Sequence, residues 1–244
     1  MSTVSAERVL WVTGAGSGIG RAAAVAAAAS LGRVALSGRR PDPLAETARL
    51  VTEAGAEPLA LPLDARDPDA VRRAHQRIVA DWPEVSDLVL AAGINTPQRY
   101  WGNQSMWEFE AIVDTNLTAV VKLIDAVLPG MRARGGGQIV VVSSFSAWRF
   151  SPHAGVAYTA SKAALAEICA SLNGQEAASR IRVCHLCPGD VDTDLLEQRP
   201  QVPDAAARKV MLSPEDVARA VLFVLDSPPD VRVDELVISP VAQG

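Results

Sequence analysis

Short apolar runs bounded by glycine, proline or charged residues alternate along this chain with longer stretches in which apolar residues recur every three or four positions. The runs Val9–Val12, Arg33–Ser37, Pro58–Leu63, Asp87–Ala91, Gln138–Ser143, Ile181–Leu186 and Asp234–Ile238 are expected strands. Between them, Arg21–Leu31, Pro43–Ala54, Pro68–Asp81, a long stretch from about Gln104 to Met131, Gly155–Ser179 and Pro214–Asp226 are expected helices, Gly32 and Gly55 closing the first two. A strand that is apolar throughout must be covered on both faces, and helical crossovers between parallel strands do this. The pattern therefore predicts an α/β fold, a doubly wound parallel sheet of about seven strands flanked by helices (Rossmann-type), with ligands at the carboxyl ends of the strands. No linker or internal repeat divides residues 1–244, which read as one domain. Gln198 to Met211, carrying Pro200 and Pro203, is the one long irregular stretch, either a mobile lid or a solvated loop.

The first strand meets the first helix at Thr13-Gly14-Ala15-Gly16-Ser17-Gly18-Ile19-Gly20. Glycines at such a junction permit a tight turn and bring bare backbone N–H groups and a positive helix end to one point, which suits phosphate. The spacing is G-x-x-x-G-x-G with Gly16 as an extra glycine, so it departs from the usual G-x-G-x-x-G form. An ordinary glycine turn is the alternative reading.

Composition changes the picture mainly by exclusion. The 244 residues are 49% hydrophobic, enough for a large core, and the net charge of -5 with scattered basic residues argues against a nucleic-acid surface. No apolar run approaches the roughly 18 residues of a membrane span, and the N-terminus lacks a signal-peptide core, so a cytoplasmic protein is expected. Cys184-His185-Leu186-Cys187 reads C-x-x-C, but residues three apart on a strand point to opposite faces and no second ligand pair accompanies them. Packing cysteines and no metal site are the expectation.

Tyr158-Thr159-Ala160-Ser161-Lys162 falls near the start of a predicted helix and puts Tyr158 and Lys162 on one face. A free phenol titrates near about 10, too high for proton transfer at neutrality. An ammonium about 5 Å away at an effective ε of about 20 favours the phenolate by roughly 3 kcal/mol, or about two pKa units. That suffices for acid–base work. Alone, the pair is equally a surface helix with an incidental Tyr and Lys.

Together with Thr13-Gly14-x-x-x-Gly18-x-Gly20, Asn116 in Asp114-Thr115-Asn116, Ser143-Ser144 ending a strand, Asp64 after the third strand and Pro188-Gly189-Asp190-Val191-Asp192-Thr193 after the sixth, the chain resembles the short-chain dehydrogenases/reductases over essentially its whole length. The resemblance implies a dinucleotide-binding and catalytic domain. It gives Tyr158 the role of general acid or base on the substrate oxygen, and gives Lys162 the lowering of its pKa and a hold on the nicotinamide ribose. Ser144 would hydrogen-bond the substrate carbonyl or alcohol, with Ser143 and Ser146 as nearby rivals, and Asn116 would support a water relay to Lys162. Gly14, Ser17, Gly18, Ile19 and Gly20 would hold the pyrophosphate, and Asp64, Ala92 and Gly93 the adenosine side. Pro188, Gly189, Val191 and Thr193 would hold the nicotinamide end.

One departure stands out: the family usually has Asn-Asn-Ala-Gly after strand four, and this chain has Leu90-Ala91-Ala92-Gly93. Cofactor choice rests on Ser37-Gly38-Arg39-Arg40, where an NAD enzyme places a carboxylate for the ribose 2′-OH. Arg39 and Arg40 suit a 2′-phosphate, so NADP is expected, with NAD as the alternative since Ser17 stands where NADP-using relatives often carry a cation. Trp148 and His153 are candidate substrate contacts, among Tyr100, Trp101, Trp107 and Phe150 in the segments that would rim the cleft, for a largely apolar or aromatic carbonyl compound. The expected activity is hydride transfer between NADP(H) and a secondary alcohol or ketone. A cofactor-binding regulator without turnover and an enzyme that recycles its nicotinamide internally are the rivals. The resemblance also implies a homodimer or homotetramer paired through the two long helices.

Overall fold

The computed structural model describes residues 8–243, so the segment read for a leader, 1–7, lies outside the described residues. Seven strands form one parallel sheet in the order β3-β2-β1-β4-β5-β6-β7. They are β1 (Val9–Thr13), β2 (Arg33–Gly38), β3 (Glu57–Pro62), β4 (Asp87–Leu90), β5 (Gly137–Val142), β6 (Ile181–Pro188) and β7 (Glu235–Ile238). The order runs outward in one direction from β1 and in the other from β4, so a crevice opens between the carboxyl ends of these two central strands.

Alternation along the strands divides the core in two. Leu10 and Val12 of β1 face α1 (Gly18–Ala28), α2 (Pro41–Glu53) and α9 (Pro214–Leu225). Val9 and Trp11 face α3 (Pro68–Asp81), α5 (Ala119–Ala133) and α7 (Val156–Gln175). The buried face of α1 is Gly20, Ala23, Ala24, Ala27 and Ala28, small residues that let this helix lie close to the sheet and α9. No helix among the described residues is long and apolar enough to cross a membrane.

Four differences from the expected elements bear on the site and its rim. The first helix starts at Gly18 rather than Arg21, because Ser17 is the extended N-cap and the glycines belong to the first helical turn. The stretch expected as one helix from Gln104 to Met131 is α4 (Met106–Val113), a π-helical turn at Asp114–Thr118 and α5. Hydrophobic spacing does not reveal such a widened turn, in which Asn116 is buried beside the loop that follows β4. After β5, Ser144 caps a single unforeseen turn, α6 (Phe145–Trp148), its Oγ accepting from the Ser146 N–H at 3.2 Å. Within the stretch expected to be irregular lies α8 (Ala205–Arg208), tied down by Arg208 to Asp192 and Glu197.

Candidate active site

The glycine turn fills one wall of a cleft of about 850 Å³ at the carboxyl ends of the strands. Gly14 has φ 66, and a Cβ there would lie 2.7 Å from the Ala92 nitrogen; one on Gly20 would lie 2.4 Å from the Gly14 oxygen. Only glycine lets β1, β4 and α1 meet this closely, and no side chain caps the α1 N-terminus, whose Ser17, Gly18, Ile19 and Gly20 line the cleft. Two residues that sequence reasoning missed brace the turn from outside. Arg21 donates to the Gly16 carbonyl at 2.5 Å and to Thr47 at 3.0 Å, and the Thr47 hydroxyl donates to the Ala15 carbonyl at 2.8 Å.

At the end of β2, Arg39 and Arg40 are exposed and line the cleft, and neither forms an ion pair among the described residues. Asp64 also lines it, but its carboxylate is bound by Arg66, at 2.6 Å for the shortest contact, which holds its pKa below the ordinary carboxylate value. Arg66 went unnoticed in the sequence because its role depends on the turn after β3. Ala92 and Gly93 line the crevice, as do Pro188 at the end of β6 and Gly189 after it, with Val191 and Thr193. Thr193 Cγ2 lies 3.1 Å from where a Gly18 Cβ would stand, so this segment closes over the glycine turn. A cradle bounded by bare glycine backbone and unpaired guanidinium groups fits a nicotinamide dinucleotide.

Ser144, Tyr158 and Lys162 converge beside this cradle. Ser144, Arg199 and Arg99 act on the Tyr158 phenol to lower its pKa, but burial outweighs them and pushes it above its ordinary value. The Lys162 Nζ lies 6.0 Å from the Tyr158 ring centroid and donates to the Val142 carbonyl at 2.8 Å. Burial lowers its pKa to about 8. The side chains that offset the burial of the phenol are Ser144, Arg199 and Arg99, while the Lys162 ammonium, 6.0 Å from the ring, is hydrogen-bonded to β5. Ser143 is occupied with the Lys162 carbonyl at 3.1 Å and Ser146 donates to Ser144 at 3.0 Å, and of the three serines Ser144 is the one that acts on the Tyr158 phenol.

Asn116 is fully buried; its Oδ1 accepts from the Ile94 N–H at 2.8 Å and its Nδ2 donates to the Ile94 carbonyl at 2.9 Å. A Cβ on Gly93 would lie 3.5 Å from Asn116 Oδ1 and 3.6 Å from Lys162 Nζ, so the three residues meet under the crevice. His153 lines the substrate side, whereas Trp148 does not: it packs edge-on to Phe145 with Arg149 4.8 Å over its ring. Arg99, Asn95, Asp190 and Arg199 line the cleft and were not singled out from the sequence, where nothing distinguishes them from other loop polar residues.

Cys184 lies in the core on the α1 side of the sheet, whereas Cys187 contacts His185 at 3.4 Å on the other face. His185 bonds Glu235 at 3.0 Å, so His185, Cys187 and Glu235 stand within 4.8 Å of one another, a grouping that spacing along β6 does not reveal because Glu235 comes from β7. Burial pushes both thiols up to about 12, which keeps them protonated at neutral pH and disfavours the thiolate that metals take.

A dinucleotide cradle joined to a tyrosine, a lysine and a serine on a doubly wound sheet is that of an NAD(P)-dependent dehydrogenase or reductase. The short chain dehydrogenase family model matches residues 8–203, and the chain belongs to that family. Among curated proteins it is 31% identical to an uncharacterized oxidoreductase of Staphylococcus saprophyticus, over 96% of this chain and 98% of that one. It is 33% identical to the glycine betaine reductase of Emericella nidulans, over 96% of this chain but only 19% of that much longer protein. Among solved structures, an alcohol dehydrogenase from Thermococcus sibiricus complexed with 5-hydroxy-NADP matches with 30% identity and a TM-score of 0.85, covering 97% of this chain and 98% of the other. A short chain dehydrogenase from Mycobacterium paratuberculosis bound to NAD matches with 28% identity and a TM-score of 0.82, covering 95% and 96%.

Proposed function

We propose that this oxidoreductase transfers hydride between NADP(H) and a secondary alcohol or ketone. The observation that carries the reading is the convergence of Ser144, Tyr158 and Lys162 on one cleft with the glycine cradle, burial raising the pKa of the Tyr158 phenol. When bound, the nicotinamide supplies or accepts the hydride at the substrate carbon. Tyr158, neutral at physiological pH, donates its proton to the substrate oxygen as negative charge develops there, and Ser144 donates a second hydrogen bond that polarises the carbonyl. Lys162, protonated below about pH 8, supplies positive charge beneath the phenol and a donor for the ribose hydroxyls. Asn116 positions the Ile94 peptide and thereby the backbone that follows β4.

Preference for NADP is supported by Arg39 and Arg40, exposed and without a carboxylate partner among the described residues, and by the absence of an acid at the end of β2. We also propose a cytoplasmic homodimer or homotetramer, supported by exposed Met106, Trp107 and Val121 on the 104–131 segment, the first of the two long helical stretches through which the family resemblance implies pairing. Nicotinamide absorbance followed with a panel of ketones and secondary alcohols, using each cofactor in turn, tests the activity. Turnover with NADPH exceeding that with NADH is expected. Cofactor binding without turnover of any carbonyl compound would favour a regulator instead.

A further inference from the structure

The substrate half of the cleft carries charge that the proposed proton transfer does not use. Arg99 lines the cleft yet is 4% exposed, and no carboxylate pairs with it among the described residues. Backbone carbonyls alone hold its guanidinium: Nε donates to Thr96 at 2.7 Å, Nη1 to His153 at 3.5 Å, and Nη2 to Gln198. A guanidinium has more N–H donors than these bonds use, and a buried cation without a counter-charge is costly. The chain nevertheless builds a place for it. Gly155 has φ 96, and a Cβ there would lie 2.6 Å from the Arg99 Cβ, so the glycine leaves the room in which the arginine stem packs, three residues before Tyr158. The Val156 N–H also donates to the Arg99 carbonyl at 2.9 Å. Arg199 lines the same cleft, paired with Asp190, and both guanidinium groups act on the Tyr158 phenol.

We propose that Arg99 is a specificity-determining residue that binds a carboxylate carried by the substrate, with Arg199 as a partly neutralised second cation, so that oxo acids and hydroxy acids are preferred over neutral ketones and alcohols. The inference rests on the oxidoreductase reading above and narrows its substrate class. A carboxylate supplies the counter-charge that the protein leaves out, in charge-assisted hydrogen bonds to a desolvated and pre-oriented guanidinium. A neutral analogue leaves that cation buried and unpaired, and the site discriminates against it for that reason.

The test compares reduction of α-, β- and γ-oxo acids, each beside its methyl ester, by the wild-type enzyme and by Arg99→Gln with NADPH. The wild type is expected to favour one acid over its ester by roughly tenfold to 100-fold in kcat/KM, chiefly through KM. Arg99→Gln is expected to abolish that preference, kcat/KM for the acid falling at least about tenfold further than kcat/KM for its ester, chiefly through KM. Should the variant fold poorly, ester reduction by the wild type is expected to be inhibited competitively by short aliphatic carboxylates and not by the matching amides. Ester turnover without acid preference, or an equal loss for acid and ester in the variant, overturns the inference alone, the latter leaving Arg99 as a staple between loops. No turnover of any carbonyl compound overturns the underlying oxidoreductase reading as well.

Discussion

The Lys162 ammonium donates to the Val142 carbonyl at 2.8 Å, tying the first turns of α7 to the last residue of β5 from a site with almost no solvent access. Burial lowers the Lys162 pKa from 10.5 to about 8, so the folded protein binds fewer protons there than the unfolded chain between these two values. Stability contributed by this site therefore rises with pH across that window, and the penalty is full below about pH 8. Lys162→Met is expected to gain stability relative to the wild type at pH 7 and to lose that relative gain as pH approaches 10.5, whatever constant offset the lost Val142 bond adds. Denaturant melts of both proteins across this range measure it, and a pH-independent difference would contradict the assignment.

Tyr158→Phe removes one oxygen and keeps the ring, the helix and the glycine cradle. Cofactor affinity should stay within about threefold, while turnover should fall by about 10²–10⁴, because the alkoxide that develops on hydride transfer lacks its positioned acid. Titration of cofactor fluorescence beside steady-state rates separates the two effects. Near-normal kcat in this variant would require the proton-transfer scheme to be abandoned.

In the wild type, the raised phenol pKa makes alcohol oxidation the more demanding direction at neutrality, since Tyr158 must first lose its proton. Oxidation rates should climb with pH through the alkaline range while reduction does not. Parallel pH profiles for the two directions would contradict this.

Arg39 is exposed and forms no ion pair among the described residues, acting on Asp64 only at longer range, so Arg39→Ala should leave the fold intact and act chiefly on the cofactor. NADPH binding should weaken by roughly tenfold or more through loss of a charge-assisted contact, with NADH binding changed by less than about twofold. Equal losses for both cofactors, measured by calorimetry, would remove the case for a 2′-phosphate site.

Cys187 is fully buried beside His185, and its thiol is held protonated. Cys187→Ala should cost about 1 kcal/mol of stability and leave activity insensitive to chelators. Stoichiometric zinc in the purified wild type would assign His185, Cys187 and Glu235 a metal-binding role instead.

Apolar runs such as Val9–Val12 and Val140–Val142 determined the parallel sheet by themselves, because burial on both faces leaves a local signature in each strand. The glycine turn, Tyr158 with Lys162 and the two arginines after β2 stand out in the sequence because each is a grouping of near neighbours, and the folded chain lines one cleft with them. What the folded chain alone decided lies between distant segments. The π-turn that seats Asn116 on Ile94 inserts no residue type that hydrophobic periodicity registers. The Lys162 ammonium meets the Val142 carbonyl, twenty residues back on another element, a partner that spacing along the helix does not name. Arg99 reads in the sequence as one more loop cation; it becomes a buried and unneutralised charge only where three loops bring their carbonyls together over Gly155. Burial and the choice of partner are properties of the packed molecule, and local pattern carries no measure of either.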